Sequence, residues 1–255
     1  MAISSSALGG CSLSLLLKET IQEAVMSNIA EHEKGEPQAF VPALRYKWAT
    51  GVYDLVIEYF TRGRALRRLS VDAIAPEAEE TILDLGCGTG GLSFALAQAE
   101  LRASITGYDI DSDILDLARK KTAFQDGAPV VTFREVNVTD TASLPQQDIG
   151  RFDCVTSSLV FHHLTHDQKQ RALRSVHTLL RPGGRFVLID WGPGVNMFLR
   201  AAFWLVRLLD GLAVTRDNAN GNLPDMLEEA GFEQVDTKPL LNTMFGTVWQ
   251  YSAAK

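Results

Sequence analysis

The stretch TILDLGCGTGG, residues 81–91, decides the fold. A short apolar run leads into an acidic side chain, Asp84, and then into a cluster of glycines. Gly86, Gly88 and Gly91 satisfy the G-x-G-x-x-G pattern of dinucleotide-binding loops. Glycines in such a loop let a ligand approach the backbone, because no Cβ atom stands in the way. The pattern alone leaves open whether that ligand is a phosphate or another group.

Downstream of this stretch, apolar runs of strand length alternate with segments of helical periodicity. Helices are predicted over 92–100, 113–121 and 223–230, and strands over 82–85, 104–109, 131–137, 152–158, 184–190, 232–240 and 246–253. Alternating strands and helices are typical of a mostly parallel, doubly wound sheet with helices on both faces. The sequence therefore predicts an α/β fold.

The residues before this alternation have a helical pattern. Apolar residues recur every four positions over about 12–32, which predicts an amphipathic helix. Pro42 can open a second helical region. We therefore predict an N-terminal helical cap or lid over 1–75 and a sheet domain over 76–255.

The composition excludes several classes of protein. A net charge of −7 over 255 residues argues against a nucleic-acid-binding protein, which usually presents a basic face. Three scattered cysteines cannot form a disulfide framework and indicate a reducing compartment. No apolar run reaches the roughly 20 residues that span a bilayer, and the opening segment has no positive charge before Lys18, so it is a poor secretory signal. We expect a cytoplasmic protein.

Two acidic residues mark where the ligand is expected, since ligands of such sheets bind beyond the carboxyl ends of the strands. Asp109 ends the second predicted strand and can accept two hydrogen bonds from a ribose diol, of NAD or of S-adenosylmethionine. Asp84 separates these two ligands, because a carboxylate repels a pyrophosphate but suits the sulfonium and ammonium groups of S-adenosylmethionine. The structural alternative is that Asp84 only caps the following turn.

Four ordered motifs carry a resemblance to a known family. ILDLGCGTGG (82–91) resembles the first motif of class I S-adenosylmethionine-dependent methyltransferases. GYDID (107–111), RFDCVTSSLVFHHL (151–164) and LLRPGGRFVLID (179–190) resemble its later motifs. The resemblance covers about 81–255 and implies a Rossmann-like, seven-stranded, mostly parallel sheet with S-adenosyl-L-methionine as the cofactor.

The resemblance also implies roles for individual residues. Asp109 would bind the ribose, Ile110 would lie against the adenine, and Ser157 would add a contact where the fourth strand ends. The methionine half of the cofactor would be lined by Asp84, Gly86, Cys87, Gly88 and Gly90.

The third motif departs from the family pattern. The family often has Gly-Asp-Ala at the end of the third strand, and its acid meets the adenine amino group. Here the chain reads EVNVTDTASLP, which most simply places Asn137 at the acid and Val138 at the alanine. Asp140 is the alternative if the loop is longer.

The segment RYKWATGVYDLVIEYFTRGRALRR (45–68) resembles the region before the cofactor fold in two groups of methyltransferases. These are the ubiquinone/menaquinone C-methyltransferases and the bacterial phosphatidylethanolamine N-methyltransferases. By this resemblance Tyr46 and Tyr53 would close over the cofactor, where aromatic faces attract a cation.

Methyl transfer requires a base only if the acceptor enters protonated. His162 and His163 follow the fourth predicted strand and Asp190 ends the fifth, so these three are the candidate catalytic residues. Packing beside the cofactor and capping of a turn are the structural alternatives. His162, His166 and Asp167 have ligand spacing, but metal catalysis adds little to this reaction, and no metal is expected.

The segment 196–212 is apolar at nearly every position and is interrupted by Arg200, Arg207 and Asp210. It is too short to span a membrane. It is either a buried helix, the cover of an apolar acceptor pocket, or a peripheral membrane contact with its arginines near headgroups.

We therefore predict an S-adenosylmethionine-dependent methyltransferase that acts on O or C of a small apolar acceptor: a quinone-like ring, a polyketide or another secondary metabolite. The main alternative is an N-methyltransferase of a phospholipid headgroup amine. A nicotinamide oxidoreductase and a non-catalytic cofactor-binding module remain as alternatives from other classes.

Overall fold

The computed structural model describes residues 63–123 and 131–255. Most of the predicted cap, with Tyr46 and Tyr53, lies outside these residues. The strands are β1 Thr81–Leu85, β2 Ser104–Asp109, β3 Val131–Glu135, β4 Phe152–Ser158, β5 Leu180–Gly192, β6 Glu233–Thr243 and β7 Gly246–Ala254. The described helices are α1 Gly63–Ile74, α2 Gly91–Ala99, α3 Ser112–Ala123, α4 His166–Leu179, α5 Met197–Asp210, α6 Arg216–Asn220 and α7 Leu223–Glu229.

The seven strands form one sheet in the order β3-β2-β1-β4-β5-β7-β6. Neighbours from β3 to β5 pair in parallel, and β7 is antiparallel to both β5 and β6. The chain reverses its direction of winding between β1 and β4, which makes the crevice at their carboxyl ends the expected ligand site. The predicted seven-stranded, mostly parallel sheet is confirmed.

Apolar side chains cover both faces of the sheet, because successive residues of a strand point to opposite sides. In β1, Ile82 joins a core with α1, α2, α3 and α5, whereas Leu83 and Leu85 join a core with α4 and α7. All three are at most 1% exposed. Burying each such side chain stabilises the fold by about 1.5–3 kcal/mol.

Helix α1 packs on the sheet although it falls in the predicted cap. Its Leu66 and Ile74 are buried in the same core as Ile82. Arg185 of β5 donates a hydrogen bond to the Ile74 carbonyl oxygen over 2.9 Å and forms an ion pair with Glu80. These contacts fix the end of α1 where the chain enters β1.

Several strand boundaries differ from the predicted ones, and the differences in β5 and β3 bear on the site. β5 begins at Leu180, not at 184, because Leu180 pairs with Phe152 before a register shift lets the regular ladder start at Cys154 and Arg185. β3 ends at Glu135, so Asn137 and Val138 lie in the turn that follows.

The predicted helix at 196–212 is present as α5. The Asn196 side chain accepts a hydrogen bond from the Leu199 amide at 2.9 Å and caps its first turn. Within residues 63–123 and 131–255, the helices are all too short or too polar to cross a bilayer.

Candidate active site

The glycine loop after β1 lies against β2. The amides of Gly86 and of the following residue both donate to the Tyr108 carbonyl oxygen, over 2.7 and 3.0 Å. Gly86 and Gly88 have φ values of +71° and +53°, which side-chain-bearing residues rarely adopt. A Cβ atom on Gly86 would lie 2.3 Å from Val160 Cγ2, whereas one on Gly88 would meet no described atom within 4 Å. The loop is therefore open to a ligand at Gly88.

Asp109 points from the end of β2 towards this opening. Its Oδ2 accepts a hydrogen bond from the Gly88 amide at 2.8 Å, and its Oδ1 accepts one from the Asp111 amide at 3.0 Å. A carboxylate offers about four lone-pair directions, so both oxygens retain capacity for a ligand diol. Ile110, the next residue, is 40% exposed and is available to cover a ring.

Asp84 is 2% exposed and meets the first turn of α2, where Ser93 Oγ donates to its Oδ2 over 2.6 Å. Burial raises the pKa of the Asp84 carboxyl to about 6, the Ser93 hydrogen bond opposes this effect, and the charge of Asp109 adds to it. The hydrogen-bond partner of the Asp84 side chain thus lies in helix α2 and not in the turn that follows β1. A helix N-terminus is where a dinucleotide pyrophosphate would sit, and here it already faces a carboxyl group.

Three residues predicted to line the cofactor have another structural explanation. The Cys87 thiol is buried, and a Cβ atom on Gly107 would lie only 2.8 Å from its Sγ atom. Burial raises the pKa of this thiol, so the thiol stays protonated. A Cβ on Gly90 would lie 2.7 Å from the Phe133 ring, so packing under the loop requires a glycine there. Ser157 is fully buried, and its hydroxyl group donates to the Leu85 carbonyl oxygen. Any contact of Cys87, Gly90 or Ser157 with a ligand would come from the backbone.

The turn after β3 engages the side chains that were predicted to read an adenine. Asn137 Oδ1 accepts hydrogen bonds from the Thr139 amide at 3.0 Å and from its hydroxyl group at 2.8 Å. The oxygen that would meet an adenine amino group is thus already used, which leaves the Asn137 amide nitrogen as a donor. Val138 is buried in the core, and the exposed Asp140 accepts from the Ala142 amide and caps the next turn.

His162 and Asp190 form a buried pair. His162 Nδ1 lies 2.7 Å from Asp190 Oδ1, and the His162 amide donates to Asp190 Oδ2 over 3.2 Å. The Trp191 amide donates to Oδ1 as well, over 2.6 Å. Burial alone would lower the pKa of His162, but the Asp190 charge and hydrogen bond outweigh it and raise that pKa. Conversely, His162 outweighs burial and lowers the pKa of Asp190.

His163 differs from its neighbour. Its ring centroid lies 3.9 Å from that of His162, with the ring planes 43° apart. Burial, followed by the charge of His162, lowers the pKa of His163 to about 3. A group with so low a pKa is a weak base, so the geometry favours His162 as the base, with Asp190 holding its imidazole.

The sequence did not reveal the third member of this cluster, Asp210. It lies in the last turn of α5, and its Oδ2 is 3.8 Å from His162 Nε2. Burial raises the pKa of Asp210. In the sequence it only interrupts an apolar helix, and its role arises from long-range packing of α5 over the loop after β4.

A second buried polar group lies next to this cluster. Lys169 of α4 is fully buried, and its Nζ lies 3.3 Å from Asp217 Oδ2 on α6. His166 Nδ1 lies 3.2 Å from Asp217 Oδ1. His166 is therefore engaged in holding α6 against α4.

Among the described residues, a metal ion could be held by His162, His163 and Asp210, whose ligand atoms all lie within 4.8 Å of one another. The spacing noted in the sequence is not used, since His166 faces Asp217. That the protein works without a metal stays a prediction.

Comparisons with known proteins place this architecture among methyltransferases. A family model described as a methyltransferase domain matches residues 83–186. The demethylmenaquinone methyltransferase of Thermus thermophilus is 34% identical over 183 residues, which cover 69% of this chain and 80% of that protein. The ubiquinone/menaquinone biosynthesis C-methyltransferase of Methylococcus capsulatus is 27% identical over 230 residues, covering 82% of this chain and 88% of that one.

A solved structure shares the fold at lower sequence identity. A candidate O-methyltransferase from Nostoc punctiforme superposes with a TM-score of 0.68 at 20% identity. The superposition covers 94% of this chain and 70% of the other. At this identity the likeness concerns the fold alone.

Proposed function

Because this chain belongs to the class I S-adenosylmethionine-dependent methyltransferases, we propose that it binds S-adenosyl-L-methionine at the glycine loop and methylates O or C of an apolar small molecule. The observation that carries the proposal is the opening at Gly88, where the backbone is accessible and Asp109 stands within 2.8 Å.

The residues around this opening fit the proposed cofactor better than a dinucleotide. The carboxyl group of Asp84 in β1 faces the first turn of α2, and Asp109 lies across the loop, so a pyrophosphate would face two carboxyl groups. An ammonium group and a ribose diol are the complementary partners of the same two side chains. Repulsion between a pyrophosphate and these two carboxyl groups disfavours a nicotinamide oxidoreductase.

The bound cofactor would supply an activated methyl group, and the chain mainly has to align the acceptor and exclude water. Asp109 would hold the ribose and Asp84 would balance the ammonium charge. The relatives are named for demethylmenaquinone and for ubiquinone/menaquinone biosynthesis, which supports a quinone-like ring as acceptor. We also place the enzyme in the cytoplasm, where its buried free thiols Cys87 and Cys154 stay reduced.

In this proposal His162 accepts the proton that a quinol hydroxyl or ring carbon loses on methylation. In the proposed tautomer His162 donates a hydrogen bond from Nδ1–H to the Asp190 carboxylate, so Nε2, on the side of Asp210, carries the free lone pair. The raised pKa of His162 makes it a stronger base than a free imidazole. Asp190, with hydrogen bonds from three donors, is a positioning residue rather than the base.

The test measures release of S-adenosylhomocysteine with 1,4-naphthoquinol as acceptor. We expect His162→Gln to lower kcat about 100-fold or more while cofactor affinity changes less than about twofold. In Asp190→Asn the acidic limb of the kcat/KM profile should move to lower pH, because His162 loses the carboxylate that raises its pKa. His163→Gln is the matched control and should stay near wild type.

The assignment fails if His163→Gln is as slow as His162→Gln, or if His162→Gln loses cofactor affinity in proportion to its rate. Cofactor binding without turnover on naphthoquinol or on phosphatidylethanolamine vesicles would favour the non-catalytic module.

A second candidate, N-methylation of a phospholipid headgroup amine, is favoured by one feature of α5. Met197 and Phe198 are 85% and 75% exposed at its beginning, and Trp204 is 51% exposed. Arg200 and Arg207 lie on the same helix. Exposed apolar side chains beside arginines suit contact with an anionic lipid surface.

A further inference from the structure

A pocket lies beyond the carboxyl end of β5, on the edge of the sheet that also carries the glycine loop. Its volume is about 300 Å³, which is the size of a small-ligand site. The turn after β5, one face of α5 and the end of α6 line it, through Gly194, Arg200, Phe203, Trp204, Arg207 and Asn220. We call it the arginine pocket.

The two arginines of this pocket are seven residues apart on α5, so they lie on the same face two turns apart. Arg200 is anchored by one hydrogen bond, from its Nε to the Gly194 carbonyl oxygen at 3.1 Å, which leaves its terminal nitrogens available. Arg207 stacks over the Trp204 ring at 5.1 Å, and its buried Nε has no hydrogen-bond partner in the described part of the chain.

Arg200 is exposed and Arg207 is partly buried, and their lack of ion pairs contrasts with three other arginines of the described chain. Arg134 and Arg151 both form ion pairs with Asp148, and Arg185 pairs with Glu80. Neither arginine of the pocket has a carboxylate within 4.0 Å among residues 63–123 and 131–255. Two guanidinium groups that line one opening and have no ion-pair partner in the described part of the chain are suited to bind an anion.

The arginine pocket adjoins the His162 cluster. Arg207 lies one helical turn before Asp210, and residues so spaced have Cβ atoms about 5–6 Å apart. Phe203, in the pocket wall, packs against Trp191 with ring centroids 5.6 Å apart, and Trp191 follows Asp190. A ligand held in the pocket would therefore reach towards the candidate base.

We propose that the arginine pocket binds an anionic group, a carboxylate or a phosphate, carried by an apolar acceptor. The guanidinium groups of Arg200 and Arg207 hold the anion, and Phe203 and Trp204 contact the apolar body. That the anion belongs to the methyl acceptor rests on the proposed methyl transfer, whereas the anion site itself rests on the pocket alone.

The test is calorimetric titration of the full chain with 2-naphthoate and with its neutral counterpart 2-naphthamide. We expect the wild type to bind the naphthoate about tenfold more tightly than the amide. Arg207→Gln and Arg200→Gln should each reduce this preference, and the double variant should abolish it. Arg171→Gln, at an exposed position of α4, is the control and should keep it. Unchanged thermal unfolding of each variant shows that it is folded.

A parallel arm identifies the source of the anion. Arginine-dependent preference for phosphatidylglycerol over phosphatidylcholine vesicles, without one for naphthoate, assigns the anion to a lipid headgroup and supports the site. Absence of an anion preference in both arms, or a preference that survives in the double variant, overturns the proposal.

Titration with S-adenosylhomocysteine separates the two proposals. If the wild type binds naphthoate through the arginines but does not bind S-adenosylhomocysteine, the proposed anion site is supported and the proposed methyl transfer is refuted. The reverse result removes the anion site and leaves the methyl transfer in place.

Discussion

Gly88 and Gly150 have similar backbone conformations, but only Gly88 lies in the glycine loop after β1. Their φ values are +53° and +65°, and a Cβ on either would meet no described atom within 4 Å. We predict that Gly88→Ala and Gly150→Ala each lower the free energy of unfolding by about 1–2 kcal/mol, because an alanine would have to adopt a left-handed backbone conformation at either position. Only Gly88→Ala should also weaken S-adenosylhomocysteine binding, by about tenfold or more, since its methyl group would fill the approach to the loop.

Urea unfolding and calorimetry on both variants check this prediction. Equal cofactor affinity in Gly88→Ala and Gly150→Ala would show that the ligand does not approach the backbone at Gly88.

We expect the ionisation of Asp84 to affect both the stability of the ligand-free protein and the binding of the cofactor. The pKa of Asp84 is about 6 in the folded protein, above its ordinary value of 3.8. Ionisation of Asp84 therefore begins to lower the free energy of unfolding at about pH 4, and the full loss is reached above pH 6. Asp84→Asn should therefore stabilise the ligand-free protein by about 1–3 kcal/mol at pH 7–8 and by almost nothing at pH 4. Ser93 can still donate to the new amide oxygen.

The same variant should bind S-adenosylhomocysteine about tenfold or more weakly, since it lacks the charge that balances the ammonium group. Urea titrations across this pH range measure the stability term. A variant that is less stable than wild type at pH 8 would mean that the buried carboxylate is compensated by a partner we have not assigned.

At this scale the sequence predicts residues whose role follows from position along a strand. Asp84 lies next to the end of β1, Asp109 ends β2, and Gly88 lies at the opening of the loop; their contacts with a cofactor stay predictions. The sequence did not separate Gly90 from Gly88, because the rings of Phe94 and Phe133 that require Gly90 come from distant segments. It could not find Asp210 for the same reason.

Among the secondary-structure elements, the bounds of buried parallel strands were predicted well, because such a strand is a continuous apolar run in the sequence. β1 and β4 are examples, and both match their predicted bounds to within one residue. β5 starts early because its pairing with Phe152 is irregular, which no local pattern encodes. The apolar composition of α5 could not show that Leu199 and Phe203 are buried while Phe198 is exposed.

The exposed beginning of α5 predicts a lipid contact. The full chain should sediment with phosphatidylglycerol vesicles, and Phe198→Ser should reduce the bound fraction severalfold, because a buried phenyl group contributes about 1.5–3 kcal/mol. Leu101→Ser is the matched control, since Leu101 is 70% exposed in the turn before β2. Equal losses in both variants, or no sedimentation of the wild type, would remove α5 as the contact.

For the whole molecule, the order of four motifs was enough to predict the sheet, because each motif marks the end of one strand and the switch point follows from their order. On the acceptor side, the sequence singled out His162 and Asp190 as candidates from their positions next to strand ends, but it could show neither their pairing nor the place of Asp210. His162, Asp190 and Asp210 come from the loop after β4, from β5 and from the last turn of α5, and only the packed fold brings them together.

The central claim is that the glycine loop after β1, at the carboxyl edge of the sheet, holds S-adenosyl-L-methionine through Asp109 and the backbone at Gly88. The most direct measurement is calorimetric titration of wild type and Asp109→Ala with S-adenosylhomocysteine, with NADH as the comparison ligand. We predict saturable binding to wild type, no binding of NADH, and a loss of about 2–3 kcal/mol in Asp109→Ala, which removes two charge-assisted hydrogen bonds. Tight binding of NADH with no heat from S-adenosylhomocysteine, or equal affinity in both proteins, would contradict it.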